Sequence, residues 1–471
     1  MRERKLFIGQ NIRSLRDKHG HTQAEMAARL SISTSYLNQI ENNQRHVTAS
    51  VLLSLAEVFS IDIASLSDND SDRLLADLLE ALADPLFKAE QLSSRDLKTF
   101  SQTSPIVARA FLNMHQALRR AGERLAQIDD SLERSGALSE LTPYEEVRDF
   151  FHYNDNYIDS LDRAGEALAE TLSKIDRDMH QALTQYLFDQ HQVRVYISED
   201  VSHNAPIRRY DPAQKLLTLS NVQSQSSRIF QMAHQIAFFE QAPNLDRIAQ
   251  QANFRSPEAA DICRIGLANY FSGATLLPYE RFAGFAVDVR HDLHIMARHF
   301  GASIEQVAHR LSTLQRSGRK GVPFFFARVD QAGNITKRHS ATKLQFARFG
   351  STCPLWNAHA AFEAPGRILR QKAETPDGVR YLCLATEVTN LGAGFNVPAP
   401  RYALALGCEI KHAAQLVYAD GLEVGKESAF DPIGISCRIC PRSDCHQRAV
   451  PPLQHPLSVD LNERVTIPYT F

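Results

Sequence analysis

The sequence predicts a multidomain chain in four parts. These are an all-α module over residues 1–66, a helical linker over 67–140, an α+β domain over 141–319, and a second α+β domain over 320–471 that carries a cysteine-ligated metal site. Three observations predict this order. Apolar residues recur with helical period from the amino end to about residue 190. The period switches to two at Val193. Three of the seven cysteines fall within Cys437–Cys445. A chain of 471 residues also exceeds what one ordinary hydrophobic core supports.

Composition narrows the function classes. With 44% hydrophobic and 23% charged residues the chain reads as globular, and no apolar run approaches the ~20 residues that span a bilayer. The start, MRERKLFIGQNIRSLR, has charge but neither an apolar segment nor a small-residue cleavage site, so a cytoplasmic location away from membranes is expected. The net charge of −2 argues against coating of nucleic acid by the whole chain, yet residues 1–50 hold eight Lys/Arg against four Asp/Glu. That end suits an anionic partner. Asp68, Asp70, Asp72, Asp77 and Glu80 then reverse the charge and mark a boundary.

In the first module Ile8, Ile12 and Leu15 define a helix that stops at His19-Gly20, where glycine can take the left-handed cap. Thr22 and Glu25 form a capping box for a second helix burying Met26, Ala27 and Leu30. Ser31-Ile32-Ser33 is short enough for the turn of a helix-turn-helix, with Ser33 capping the third helix and Ile32 packing on Leu37. If Leu37 and Ile40 face inward, Ser35, Asn38, Gln39 and Asn42 turn outward, flanked by Thr34 and Tyr36. These side chains suit base edges and phosphates, and Gln23 and Arg45 are placed for phosphates. A structural helical bundle with a polar third helix is the bland alternative. The run TQAEMAARLSISTSYLNQIENNQRHVTASVLLSLAEVFSID resembles the lambda-repressor-like (Cro/C1, XRE) family. That resemblance implies a dimer on a pseudo-palindromic operator with half-sites about 10 bp apart.

Residues 70–190 read as mostly helical connectors that position or dimerise this module. Within them, Phe150, Phe151, Tyr157 and Arg163 alternate aromatic and cationic character, open to two readings: ligand contact or core packing. Beyond Val193, VRVYIS reads as a strand, RRYDPAQKLLTLS as a second strand with a turn at Asp211-Pro212, and SSRIFQMAHQIAFFEQ as a buried helix. Arg208, Arg209 and Tyr210 set two guanidiniums beside a ring, a combination for phosphate and adenine recognition or simply an exposed strand end.

The helix carries AHQIAF where a zinc peptidase shows H-E-x-x-H. Gln235 cannot act as the general base and Phe238 cannot bind zinc, which leaves His234 alone. The following CRIGLANYFSGATLLPYERF resembles the next helix of the ImmA/IrrE-like peptidases, with Ile265-Gly266-Leu267 where the acidic third ligand belongs. The resemblance implies that fold with its active site dismantled and its pocket free for binding. A linked metallopeptidase that cleaves a partner is the rival reading.

In the last part VPFFFARVD, YLCLATEV and YALALGCEI read as strands, and Trp356, the only tryptophan, as core. Cys437-x2-Cys440-x4-Cys445 lies on a turn-rich segment, with Cys408 at a strand end taken as fourth ligand and Cys263, Cys353 and Cys383 as separate buried thiols. A four-iron four-sulfur cluster is favoured and zinc stays open. Arg438, Arg442 and Arg448 could offset thiolate charge.

Taken with VRDFFHYNDNYIDSLDRAGEALA, FQMAHQIAFFE and VYADGL, the ending GISCRICPRSDCHQRAVPPL resembles the short-chain fatty acyl-coenzyme A regulators across essentially the whole chain. The resemblance implies a non-enzymatic transcription factor for propionyl-CoA, glyoxylate or related metabolism. It also implies an acyl-CoA effector bound in the dismantled domain, a homodimer or larger assembly and, in some members, an iron–sulfur cluster. A redox- or iron-sensing regulator is the second reading.

Overall fold

The computed structural model describes residues 9–59 except 43, parts of 74–118, 142–342 except 201–205, 344, 346, 352–389, 399–426, 429–452, 456–463 and 466–471. Ile8, the acidic stretch 68–72, Glu80 and the end of the expected linker lie outside the described residues. The chain divides into two compact units, Met1–Arg119 and Arg120–Phe471.

The first unit opens with helices α1 (Gly9–Lys18), α2 (Gln23–Arg29), α3 (Thr34–Glu41) and α4 (Ala49–Phe59). Helices this short are marginal in isolation and depend on packing. Ile12, Met26, Ala27, Leu30, Leu37, Ile40, Val47, Val51 and Leu55 form the shared core, with Ile32 against it. Gly20, at φ +65°, ends the first helical segment. The Thr22–Glu25 box is made in both directions, and Ser33 caps α3 through the Tyr36 N–H. Further on, α5 (Ser94–Thr103) contributes Phe100 to a small cluster around Leu74, Leu78 and Ala108.

The second unit begins with α6 (Pro143–Tyr153), α7 (Asp159–Ile175) and α8 (Met179–His191), which share one core with the segment that follows. There, β1 (Arg194–Ser198), β2 (Arg208–Asp211) and β3 (Leu216–Ser220) form a sheet of order β1-β3-β2. β1 runs parallel to β3 and β2 antiparallel to it. The stretch read as a strand with a turn at Asp211-Pro212 does turn there, and it forms the two strands of a hairpin. Its return is made at Lys215 in the left-handed region, φ 48°.

Helices α9 (Gln225–Glu240), α10 (Ala242–Gln251) and α11 (Pro257–Leu276) cover this sheet, and α12 (Tyr279–Asp288), α13 (Leu293–Phe300) and α14 (Ile304–Ser312) lead to the last region. That region is a six-stranded sheet of β4 (Phe324–Val329), β5 (Ile335–Ser340), β6 (Leu369–Glu374), β7 (Arg380–Thr389), β8 (Arg401–Glu409) and β9 (Asp431–Pro432), ordered β5-β4-β8-β7-β6-β9. Only the β6–β9 pairing is parallel. The three strands expected from sequence are its buried centre. β5 (ITKRHS) and β6 (LRQKAE) lack an apolar run and were not expected.

Side-chain alternation gives this sheet two different faces. Phe324, Phe326, Leu382, Leu384, Leu404, Leu406 and Cys408 face α12–α14. Phe325, Ala327, Tyr381, Cys383, Ala403 and Ala405 face Trp356, Cys353 and Ile433 on the other side. Trp356 is core, 6% exposed.

Candidate functional sites

The predicted recognition helix has the expected polarity. Leu37 and Ile40 are buried, Thr34, Ser35, Asn38 and Asn42 are exposed, and Tyr36 and Gln39 are half-buried. Asn42 Nδ2 donates to the Asn38 backbone and side-chain oxygens at 3.0 and 2.9 Å, which holds two of the outward amides in register. Arg45 lies with its guanidinium 4.9 Å from the Tyr36 ring. Gln23 donates to Glu41 Oε2 at 2.7 Å, and Arg16 Nε donates to Glu41 Oε1 at 2.7 Å, so the buried Glu41 locks α1 and α2 to α3. Sequence reading overlooked Glu41, whose acidic character suggested a surface position.

In the second unit a cavity of about 1510 Å³ lies among α6, β2, α9, α11, α14 and β5. Its lining holds six Lys/Arg (Arg148, Arg208, Arg310, Arg328, Lys337 and Arg338) against one acid, Glu305. Two of the seven residues expected to meet a ligand, Phe151 and Arg208, line it. The other five do not. Phe150 packs on Phe151 and Phe254, and Tyr210 on Phe239. Tyr157 donates to Asp159 at 2.7 Å and receives Arg316 Nε at 2.8 Å. Arg163 is exposed and pairs with Asp159 at 3.1 Å. Arg209 is exposed because a strand sends neighbours to opposite faces, while Arg208 shares the face of Leu217 and Leu219.

The peptidase positions also line the cavity. His234 is 4% exposed, and among the described residues its Nδ1 has no hydrogen-bond partner. Burial pushes this imidazole down to about 4, with the nearby Arg208 charge acting the same way. Gln235 accepts from Arg208 Nη1 at 2.8 Å, and the Phe238 ring stands against His234. On α11, Gly266 receives the Phe151 ring, and a Cβ there would stand 2.8 Å from Cε2. An apolar contact therefore fills the place where the third ligand belongs.

Behind the cavity Asp162 is fully buried and accepts four hydrogen bonds. Tyr270 Oη donates at 2.6 Å, Arg310 Nη1 and Nη2 at 2.7 and 3.2 Å, and Arg316 Nη2 at 3.0 Å. Burial alone would raise this carboxyl, but Arg310, Tyr270 and Arg316 together hold it below its usual range. On the β5 side, His309 and His339 meet Nε2 to Nε2 at 3.0 Å and His339 Nδ1 meets Asn156 Oδ1 at 2.7 Å. Both histidines are pushed down by burial. None of these residues was singled out in sequence. Their only signal was a charged or polar residue inside an otherwise apolar stripe.

The cysteine set requires a correction. Cys437, Cys440 and Cys445 line one small cavity, together with Cys353, Gly434, Arg442 and Arg448. Cys408 is on the opposite face of the sheet, paired in register with Phe324 and Leu382 and buried in the layer of α12–α14. The sheet itself separates Cys408 from the other three. Cys353, expected to be a separate buried thiol, lines the cavity with them.

The Gly434 N–H donates to Cys353 Sγ at 3.2 Å, and a Cβ on Gly434 would stand 3.0 Å from Cys440 Sγ. Arg448 donates to the carbonyls of Cys437 at 3.0 Å and Cys440 at 3.2 Å, and to that of Arg442. Burial raises the Cys353 thiol pKa, and Cys437 and Cys440 raise it further. The four cysteines that line this cavity could hold a thiolate-bound cation, and Arg442 and Arg448 beside them would oppose its residual negative charge. Among the described residues no group of three or more His, Cys, Asp or Glu is already close enough to hold a single ion.

These sites define a class: a helix-turn-helix transcription regulator with a peptidase-like domain that keeps one histidine of its metal site and has lost the other ligands. Residues 12–66 match the helix-turn-helix family, 188–312 the IrrE N-terminal-like domain, and 313–469 the short-chain fatty acyl coenzyme A regulator C-terminal domain. The chain is 51% identical to a propionyl-CoA carboxylase regulator of Cereibacter sphaeroides, covering 99% of this chain and 98% of that one. It is 39% identical to the HTH-type transcriptional regulator RamB of Mycobacterium tuberculosis, over 99% and 98% of the two chains. A solved Mycobacterium tuberculosis transcriptional regulator superposes with a TM-score of 0.66 at 41% identity, covering 70% of this chain and 100% of that one.

The chain belongs to the short-chain fatty acyl coenzyme A regulator family, and it is a DNA-binding transcription regulator rather than an enzyme. The metallopeptidase reading falls with Gln235, Phe238 and Gly266. No helix among the described residues is long and apolar enough to cross a membrane.

Proposed function

We propose that the cavity of the second unit binds a coenzyme A thioester of a short-chain acid, and that its occupancy changes how the amino-terminal module engages operator DNA. The observation that carries this reading is the charge of the cavity: six cations against one acid around about 1510 Å³. Drug-sized ligands fill pockets of ~300–1,000 Å³, so the space suits a long ligand, and the cationic lining suits one that bears phosphates. The names of relatives, among them a propionyl-CoA carboxylase regulator, point to propionyl-CoA as the first thioester to try. Coupling needs only that the effector bind two arrangements of the protein with different affinity.

On the DNA side Thr34, Ser35, Tyr36, Asn38, Gln39 and Asn42 meet the major groove and Arg45 a phosphate, in a cytoplasmic homodimer on half-sites about 10 bp apart. Gln23 orients Glu41 and Asn38 and reaches a phosphate only by releasing Glu41. The sulfur set Cys353, Cys437, Cys440 and Cys445 favours a second, compatible input: these residues would hold a four-iron four-sulfur cluster or zinc. A cluster would supply one-electron redox chemistry and zinc a structural crosslink.

The test is thermal melting of the full chain with propionyl-CoA, acetyl-CoA and free CoA, alongside operator retardation. Ligand at 100 times its Kd stabilises a folded state by about 2.7 kcal/mol, so a rise in Tm with the thioesters and a changed operator affinity are expected. No shift with any thioester would remove the effector reading and leave the DNA-binding one standing.

A further inference from the structure

The family's peptidase chemistry is gone, but the positive charge of its centre is not. A zinc peptidase would place a ligand histidine, a base and a second histidine where His234, Gln235 and Phe238 stand. The fold brings Arg208 of β2 into the middle of these three. Its Nη1 donates to Gln235 Oε1 at 2.8 Å, its guanidinium carbon lies 5.8 Å from the Phe238 ring centre, and its charge acts on His234.

Two further facts set Arg208 apart. The guanidiniums of Arg310 and Arg328 in the same cavity are neutralised by Asp162 and Glu305, at 2.7 and 3.1 Å. Among the described residues Arg208 has only the neutral Gln235 amide as partner, and burial shifts its pKa downward. An unneutralised, half-buried cation is costly unless something anionic joins it. Beside it, His234 is buried in the cavity wall, and among the described residues its Nδ1 has no partner. Arg208 lacks a counter-charge among the described residues, His234 Nδ1 lacks a partner, and both residues line the same cavity.

We propose that Arg208 takes the electrostatic place of the lost metal and that the site formed by Arg208, His234 and Gln235 binds an anionic oxyacid group of the effector. Gln235 fixes one edge of the guanidinium and leaves the other edge free for a two-point grip on phosphate or carboxylate oxygens. The glutamine at the former base position is then selected for neutrality, because a glutamate would occupy the cation itself. His234 offers a further hydrogen-bonding nitrogen to the same ligand. The oxyacid has two possible sources in a CoA thioester: the phosphates of the coenzyme or a carboxylate on the acyl chain. The inference rests on the acyl-CoA reading of the cavity.

Calorimetric titration of the full chain with propionyl-CoA, propionyl-pantetheine and methylmalonyl-pantetheine separates the sources. If Arg208 holds phosphate, Arg208→Gln weakens propionyl-CoA at least tenfold and leaves both pantetheine thioesters unchanged. If it holds an acyl carboxylate, methylmalonyl-pantetheine alone is weakened at least tenfold.

Gln235→Glu guards against a folding defect, since it keeps Arg208 and replaces a hydrogen bond by an ion pair. It is expected to reproduce the Arg208→Gln loss by neutralising the cation. Arg209→Gln, on the opposite face of the same strand, should bind as the wild type does. Wild-type affinities for all three ligands in a folded Arg208→Gln or Gln235→Glu protein overturn the proposal. A wild-type protein that binds none of the thioesters instead overturns the acyl-CoA reading on which it rests.

Discussion

At the scale of single residues, the chain shows how a catalytic position is converted rather than erased. His234 keeps the peptidase identity but is held neutral in a buried site, down to about 4 in the folded state against an ordinary 6.5. The unfolded chain therefore binds a proton as pH falls below about 6.5, while the folded chain does not until near pH 4. Stability present above pH 6.5 is lost on acidification through that window, by about 2 kcal/mol between pH 6.5 and 5. Melting of the wild type and of His234→Phe across pH 5–8 checks this: the wild-type Tm should fall more steeply towards pH 5. Parallel pH profiles would mean the buried imidazole does not control acid stability. The loss of peptidase function was legible at this scale, because glutamine and phenylalanine fail the chemistry wherever they point. The conversion was not, because Arg208 lies 26 positions upstream of His234 and on a different element.

Among elements, the contact between α6 and α11 fixes the mouth of the cavity. Gly266 allows the Phe151 ring to lie against the α11 backbone, and both residues line the cavity. Gly266→Ala should gain up to about 1 kcal/mol of helix propensity yet cost about 1–3 kcal/mol through a Cβ placed 2.8 Å from the ring, so the net effect is a modest loss. In the double variant Gly266→Ala/Phe151→Leu the clash is relieved and the propensity gain remains. Urea midpoints should fall for the single variant and recover for the double. A more stable single variant would show that the ring moves aside freely.

Helices and their caps were legible at this scale because periodicity and Thr22, Glu25 and Ser33 are local signals. Strand partnership was less so. Period two implied that Arg208 and Arg209 part company, but their shared charge suggested a pair. That Cys353 shares a cavity with Cys437, Cys440 and Cys445 was missed for a related reason. Cys408 ends a strand and is nearer in sequence to Cys437 than Cys353 is, yet the sheet puts it on the wrong face, and face assignment needs the register of β7 and β8.

For the whole molecule the decisive group is Asp162, which no sequence pattern announced because an aspartate on an amphipathic helix reads as solvated. It gathers Tyr270 from α11, Arg310 from α14 and Arg316 from the segment leading into the six-stranded sheet, with Arg310 3% and Asp162 0% exposed. Such a buried network need not stabilise more than apolar packing would, but removing Asp162 leaves Arg310 buried without its carboxylate, while Arg316 keeps Glu166 and Glu280. Asp162→Asn leaves two guanidiniums without their shared carboxylate and is expected to cost about 3–5 kcal/mol.

The network joins the helical layer to the sheet, so both should fail together. Trp356, the only tryptophan, sits on the far face of that sheet and reports its unfolding, while far-ultraviolet dichroism reports the helices. In Asp162→Asn the Trp356 fluorescence midpoint and the main dichroism transition should drop to lower urea by the same amount. The first unit, residues 1–119, should hold its own transition, since its core contains none of these residues. A variant in which dichroism shifts while Trp356 keeps the wild-type midpoint would mean that the sheet stands without the network. The link between the cavity and the sheet would then have to run through the His309–His339 contact instead.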